Sequence, residues 1–258
     1  MNILVIGDVV GNRGCEAVRK HLPGLKKRKG IDLVIANGEN SADGNGITPS
    51  SAQSLFQSGV DVITTGNHVF RRKEIYEELE ENPFLIRPAN FPSGCPGKGI
   101  SIVDKGRTIV AVINIMGTVF MDSLECPFTT ADRLYEEAKQ SGASIIIYDI
   151  HAEATAEKKA LGFYLDGRAS VVFGTHTHVQ TADDGILPKG TGYLTDVGMV
   201  GPLHSVLGIK PELAITKMKS KMPVRFENGT EDCEFNGCIF EVDEQTKMAI
   251  STERIVFV

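Results

Sequence analysis

The chain has 258 residues, 41% hydrophobic and 23% charged, with 27 basic against 33 acidic side chains. A chain of that length buries a full core without disulfide or metal staples, and the balance of residue types excludes a disordered or fibrous class. The net charge of −6 weighs against duplex nucleic acid as a partner, which needs a basic face, but leaves a small phosphorylated ligand open, because a bound cation supplies positive charge locally.

Residues Ile3 to Ile6 read as a buried strand. A helix follows over Cys15 to Arg28, its basic end suited to the helix dipole. Leu33 to Ala36 is a second strand, and Pro49 to Gln57 a second helix with Thr48 as N-cap and Gly59 as stop. Val60 to Thr64 is a third strand and Arg72 to Glu81 a third helix, an alternation that predicts right-handed βαβ units. Ile100 to Val103 and Thr108 to Ile115 flank Lys105-Gly106-Arg107 and read as a hairpin. A helix over Thr130 to Gln140 leads to the apolar strand Ser144 to Ile150, then a helix over Ala156 to Tyr164 and a strand over Ala169 to Phe173. Val224 to Glu227, Cys233 to Val242 and Met248 to Val258 are strand-like, with a turn at residues 243–246. Without a low-complexity linker or a repeat, the simplest architecture is one α/β domain over residues 1–258, two facing sheets with helices outside and the strands from about residue 224 in the same unit.

The five cysteines, Cys15, Cys95, Cys126, Cys233 and Cys238, form no CxxC pair. That excludes a zinc ribbon and a disulfide framework, so a reducing, cytoplasmic setting is expected. The N-terminal apolar run is broken by Asp8 too soon for a signal peptide, and no run approaches the ~18 apolar residues of a membrane span.

Polar residues able to hold a metal follow the apolar strands. Asp8 ends the first, Asn37-Gly38-Glu39-Asn40 the second, Thr65-Gly66-Asn67-His68 the third, Asp149-Ile150-His151 the long middle strand, and Gly174-Thr175-His176-Thr177-His178 the next. In open α/β sheets, ligands gather outside the carboxyl ends of strands. Taken singly, each motif has an ordinary reading: Asp8 as a turn or cap, Asn40 and Asn67 as loop residues, His151 as a hydrogen-bonded core histidine. Strand alternation would put His176 and His178 on one face. Five such motifs at five strand ends are hard to obtain from turns alone. His21 and His204 lack such context and read as surface or loop residues. Arg87 and Asn90, beside Pro88 and Pro92, read as parts of a stiff connector or as contacts to phosphate or sugar; Glu153 reads as an acceptor for His151 or a solvated loop charge. The Lys26-Lys27-Arg28-Lys29 run reads as a solvated helix end and Cys95 as an inert loop thiol.

In order and residue type these blocks resemble the calcineurin-like metallophosphoesterases. Three departures stand out: no histidine follows Asp8, Glu39 replaces an aspartate, and Val69 replaces the acid after Asn67-His68. The departures themselves resemble a narrower group, the bacterial YmdB-type phosphodiesterases, met also by Arg87-Pro88-Ala89-Asn90-Phe91-Pro92, His151-Ala152-Glu153-Ala154-Thr155 and Thr195-Asp196-Val197-Gly198-Met199. The resemblance implies a four-layer α/β/β/α sandwich. It implies a metal held by Asp8, Glu39, Asn40 and His178, and a second held by Glu39, Asn67, His151 and His176, with Glu39 bridging and His68 as proton donor. The implied cofactors are two divalent or mixed-valence ions, Fe or Mn, with Zn as a further option. The implied substrate is a cyclic nucleotide, 2′,3′-cyclic and also 3′,5′-cyclic, attacked at phosphorus by a metal-bridging hydroxide. Bare chemistry agrees, since two cations ~3.5–4 Å apart clamp both oxygens of an in-line displacement, and mixed N/O ligation without thiolate suits Mn or Fe. A phosphomonoesterase on the same metals, or a metal-bound regulatory scaffold with little turnover, are the alternatives. No membrane or duplex nucleic-acid partner is expected, and homo-oligomerisation stays open.

Overall fold

The computed structural model describes residues 1–229 and 232–258. In β1 (Asn2–Ile6) the period-two pattern sends Ile3 and Val5 to one face and Leu4 and Ile6 to the other, and all four are buried. The chain turns at Gly7 into the two-residue β2 (Asp8–Val9) and then α1 (Gly11–Lys29), which begins several residues earlier than expected. β3 (Leu33–Asn37), α2 (Pro49–Gln57), β4 (Val62–Thr64) and α3 (Ile75–Glu81) complete two parallel βαβ steps, β1 to β3 and β3 to β4. Thr48 caps α2 as expected, its hydroxyl accepting from the Ser51 amide. α3 is shorter than its pattern, starting at Ile75 rather than Arg72, since residues 73–74 form a turn ahead of it, and the Arg72 side chain reaches the Asp43 and Asn45 carbonyls of a neighbouring loop.

The second sheet starts with the hairpin of β5 (Ile100–Asp104) and β6 (Ile109–Met116). α4 (Pro127–Gln140), β7 (Ile145–His151), α5 (Thr155–Leu165) and β8 (Val171–Thr175) follow, with β6, β7 and β8 parallel. β9 (Gly185–Ile186) and β10 (Gly192–Leu194) extend that sheet, while β11 (Met199–Pro202) crosses to the first sheet and pairs with β2. After α6 (Pro211–Ser220), the hairpin of β12 (Cys233–Val242) and β13 (Ala249–Phe257) joins the first sheet, with β1 and β11 both on β12. Residues 224–227, read above as a strand, form none; they run between α6 and β12 with a single bridge at Asn228 to Ile209.

The two sheets, of seven and six strands, face each other. Between them lie Ile3, Val5, Leu33 and Ile35 from one and Val112, Ile147, Val171 and Phe173 from the other. The outer face of the first sheet is covered by α1, α2 and α3 through Val18, Leu22, Leu55 and Ile75. The outer face of the second is covered by α4 and α5 through Leu134 and Leu161. Strands buried on both faces must be apolar throughout, which is why β3 and β7 read as continuous hydrophobic runs until their last residues. Among the described residues no helix is long and apolar enough to cross a membrane.

Gly7 sets where β1 stops and the first site loop begins. A Cβ there would lie 2.1 Å from the Gly198 carbonyl oxygen, which accepts the Asp8 amide at 3.0 Å. Gly7→Ala is therefore expected to lower stability by about 1–3 kcal/mol through forced separation of these segments. Urea unfolding measures this, and a parental midpoint would show that the crossing is looser than described.

Candidate metal centre

Four residues from three other strand ends meet around Glu39. Its carboxylate is 1% exposed and sits one residue past the tight Asn37-Gly38 turn of β3, where its amide donates to Asn37 Oδ1 at 3.1 Å. Glu39 Oε1 is 3.3 Å from His151 Nε2, at the end of β7, and 3.4 Å from His68 Nδ1, after β4. Glu39 Oε2 accepts the His68 amide at 2.9 Å. His151 Nε2 lies 3.1 Å from Asn67 Oδ1 and 3.0 Å from His176 Nδ1. Glu39, His151 and His176 each offer one donor atom within 4.8 Å of the others. Gly66 is what lets this happen: a Cβ there would lie 2.2 Å from His151 Nε2 and 2.4 Å from Glu39 Oε2.

Asp8, Asn40 and His178 stand on the other side of Glu39. Asn40 Nδ2 is 3.1 Å from Glu39 Oε1 and 3.4 Å from His178 Nε2, and Asn40 Oδ1 is 2.9 Å from His68 Nδ1; a half-turn of the amide exchanges the two atoms. Asp8 is fully buried. Its Oδ2 accepts the His176 amide at 3.0 Å, while its Oδ1, 3.7 Å from His178 Nε2, has no hydrogen-bond partner among the described residues. A buried carboxylate oxygen left without a donor is costly unless a cation meets it. Asp8 Oδ1 and the imidazole and carboxylate atoms around it fit a hard or borderline divalent ion. All seven residues expected to hold metal, together with His68, thus lie in one connected cluster.

Titration follows the same geometry. Burial pushes the Asp8 carboxyl up, against the pull of His178 and His151. Burial also raises Glu39, but His151 and His68 more than offset it and hold the group well below its ordinary value. Burial disfavours a charged His151, yet Glu39, Asp8 and Asp149 lift it to about 9. Burial and the neighbouring His151 push His176 down to about 3. Metal binding at such a set requires the imidazoles neutral and the carboxylates ionised, so it would oppose the upward pull on His151.

A buried frame fixes the rings. Thr175 Oγ1 lies 2.9 Å from His151 Nδ1 and donates to Asp149 Oδ1 at 2.7 Å; Asp149 Oδ2 accepts from Thr64 Oγ1 and from Asn37 Nδ2. Burial pushes Asp149 up to about 6. The contact between Thr175 and His151 sets the outward direction of Nε2. The 176–178 loop is held by Asp196, whose Oδ2 accepts the Thr177 amide at 3.1 Å and hydroxyl at 2.8 Å. Lys158 Nζ donates to the same Oδ2 at 2.6 Å and to the Thr175 carbonyl at 2.8 Å, and both members of this ion pair are 1% exposed.

His176 and His178 do not continue β8 as alternating strand residues. Both adopt left-handed backbone, φ 100° and 63°, in a turn beyond Thr175. It is this turn, rather than strand alternation, that aims both rings inward. Glu153 Oε2 meets His176 Nε2 at 3.2 Å rather than His151. Arg87 and Asn90 are buried connectors: the guanidinium donates to the carbonyls of Pro88, Cys95 and Pro96, and Asn90 to those of Met116 and Glu125. His21 is a half-buried helix residue stacked 5.7 Å from Phe257, and His204 is an exposed loop residue. Sequence reasoning passed over Lys158 and Asp196 as functional residues. It also passed over Asp149 individually, although its i, i+2 spacing from His151 on a strand was a usable signal.

Lys158→Met would leave Asp196 buried without its cation. The expected cost is about 3–5 kcal/mol, with weaker metal retention because the 176–178 loop loses its anchor. Urea unfolding and elemental analysis of the purified variant read the two effects, and parental values for both would show the ion pair to be incidental.

A family model described as YmdB-like protein matches residues 4–255. The chain is 50% identical over 256 residues to the 2′,3′-cyclic-nucleotide 2′-phosphodiesterase of Bacillus subtilis (strain 168), covering 99% of this chain and 97% of that protein. The crystal structure of a phosphatase from Mycoplasma pneumoniae superposes with a TM-score of 0.94 at 34% identity, covering 100% of this chain and 93% of that one. A 5′-nucleotidase precursor from Thermus thermophilus shares the fold alone, with a TM-score of 0.62 at 11% identity over 100% of this chain and 54% of that one. The two facing sheets with outer helices form a four-layer α/β/β/α sandwich, the fold shared with that 5′-nucleotidase precursor, and the chain belongs to the YmdB-like family.

Proposed function

We propose that the chain is a metal-dependent phosphodiesterase of the cytoplasm that opens 2′,3′-cyclic nucleotides, and also accepts 3′,5′-cyclic ones, at a two-metal site. The observation that carries this reading is the buried Asp8 Oδ1 without a donor, set beside the Glu39, His151 and His176 cluster. The half-identity to the B. subtilis phosphodiesterase supports the substrate class. Asp8, Glu39, Asn40 and His178 would hold one ion and Glu39, Asn67, His151 and His176 the other, with Fe or Mn suited to this thiolate-free set and Zn as a further option. When bound, the pair supplies Lewis acidity, lowering the pKa of water and offsetting charge on the phosphate.

The protein groups do the rest. Water oxygen bonds to phosphorus as the bond from phosphorus to the ribose 2′ oxygen breaks, leaving a 3′-phosphate. The leaving oxygen needs a proton at that moment. The His68 ring is positioned through Nδ1, which contacts Asn40 Oδ1 at 2.9 Å, so Nε2 is the nitrogen that delivers it. The ring is half-buried and therefore open to substrate on one side. The similarity to an M. pneumoniae protein described as a phosphatase favours phosphomonoester hydrolysis as the second reading, served by the same residues.

Purified protein reconstituted with Mn is expected to open 2′,3′-cAMP and, more slowly, 3′,5′-cAMP, with p-nitrophenyl phosphate nearly inert and EDTA abolishing all turnover. Turnover of the monoester alone would promote the phosphatase, and no turnover with metal fully bound would promote the scaffold. His68→Ala is expected to keep near-normal metal content while kcat falls ~100-fold or more; equal rates in mutant and parent remove His68 from the mechanism. Glu39→Gln should strip metal from both positions, and full occupancy by elemental analysis would rule out a bridging role.

A further inference from the structure

The chemistry above leaves unused a cavity of about 800 Å³ whose walls come from the same loops that carry the site. Val10 follows Asp8 by two residues, Asp43 follows Asn40 by three, and Arg72 follows His68 by four. The remaining wall is residues 225–229. That wall is tied to the site through one short segment: the Gly229 amide donates to the Gly208 carbonyl at 3.0 Å, and the carbonyl of the preceding Leu207 lies 3.1 Å from His178 Nδ1. The cavity and the metal-ligand cluster are thus joined through shared loops.

The lining is cationic with one aromatic face. Arg13, Arg72 and Arg225 contribute three guanidinium groups against two carboxylates, Asp43 and Glu227, and Arg13 is already paired with Glu16 at 3.3 Å. Both acids already have partners. Asp43 accepts from the Asn12 amide at 3.1 Å and from its Nδ2 at 2.7 Å, and Glu227 pairs with Lys210 at 2.7 Å. Arg72 is fixed by the Asn45 and Asp43 carbonyls, at 3.1 and 2.6 Å, which orient the guanidinium without neutralising it. Arg225 is exposed, makes no hydrogen bond or ion pair among the described residues, and only weakly favours the neighbouring Glu227 carboxylate, which is already paired with Lys210. Phe226, beside it, leaves 43% of its surface uncovered. The other large cavity, of about 740 Å³, differs: its buried Arg87 is committed to backbone carbonyls, and Glu125 and Glu137 offset Arg133 and Lys98.

A nucleoside 2′,3′-cyclic phosphate carries only the reacting phosphate, which would bring no anion to Arg72 and Arg225. We propose that the cavity is a subsite for a second phosphate on the ribose 5′ oxygen, held by Arg72 and Arg225, with a base against Phe226. Planar guanidinium groups match phosphate in two-point contact, and an uncovered aromatic ring is a stacking platform for a base of any sequence. This subsite rests on the phosphodiesterase reading. The second phosphate comes either from a 5′-phosphorylated mononucleotide or from the next linkage of an oligoribonucleotide.

Three substrates distinguish the sources: adenosine 2′,3′-cyclic phosphate, its 5′-phosphorylated form, and a diadenosine dinucleotide ending in a 2′,3′-cyclic phosphate. The Mn-loaded parent is expected to favour one or both of the doubly phosphorylated compounds by about tenfold in kcat/KM, through KM, as for a charge-assisted hydrogen bond to phosphate. The better of the two identifies the source. Arg225→Ala should bring that ratio toward one, Phe226→Ala should raise KM for all three, and Arg133→Ala, in the other cavity, should keep the parental ratio. Equal kcat/KM for all three in the parent, or a preference that survives Arg225→Ala, overturns the subsite. Calorimetry with 3′-AMP and adenosine 3′,5′-bisphosphate reads the same contact without turnover. The bisphosphate is expected to bind about tenfold tighter to the parent and equally to Arg225→Ala, and equal binding to the parent overturns the proposal. Tight bisphosphate binding without opening of any cyclic ester would sink the phosphodiesterase reading while leaving the subsite standing.

Discussion

Two carboxylates withdrawn from water organise this molecule. Asp8 and Glu39 are 0% and 1% exposed at the ends of apolar strands, where an uncompensated charge costs several kcal/mol. Glu39 meets the cost with His151, the His68 amide and the Asn40 side chain. Asp8 meets only half of it, through the His176 amide, and keeps one oxygen unmet. The convergence of five strand ends on one spot is thus an electrostatic requirement as well as a topological result. Remove any of those ends and a charge is left without an answer.

What surrounds the carboxylates is arranged to keep that answer rigid. Asp149, Thr175, Thr64 and Asn37 link β7, β8, β4 and β3 beneath the histidines. Lys158 on α5 reaches across to Asp196 and to the Thr175 carbonyl, so one ammonium group ties a helix, a strand end and the loop before β11. Buried networks of this kind are stabilising only when every member is satisfied. Here the frame is satisfied, and the atom left unmet is Asp8 Oδ1 above it, 3.7 Å from His178 Nε2.

The apolar strands and the polar residues that end them were legible because each rule acts locally: strands buried on both faces are hydrophobic along their length, and ligands follow their carboxyl ends. α2 could be placed to the residue, since Thr48, Pro49 and Gly59 are local punctuation. What escaped was non-local. β2 and β11 are too short to show a period, and they exist because of partners far along the chain, β2 on β11 and β11 on β12. α6 carried a readable start in Lys210-Pro211-Glu212 and a basic last turn, but its weakly patterned face hid it. The strand expected over residues 224–227 does not form: the segment pairs only at its end, where the Lys210 amide donates to the Glu227 carbonyl at 3.0 Å and Asn228 bridges Ile209. At the site, residue identities were visible in the linear order, whereas the turn that inverts His176 and His178 and the ion pair that holds it depend on partners far along the chain, Asp196 and Lys158.

That turn sets two kinds of fitness against each other. Non-glycine residues in left-handed backbone cost of order 1–3 kcal/mol each, and His176 and His178 occupy such backbone two residues apart. Glycine at either position would relieve the chain and make it a better folder, and it would remove an imidazole. Selection for stability alone would therefore erode this loop first. Its survival as histidine in a working protein measures how much conformational comfort the chemistry is worth.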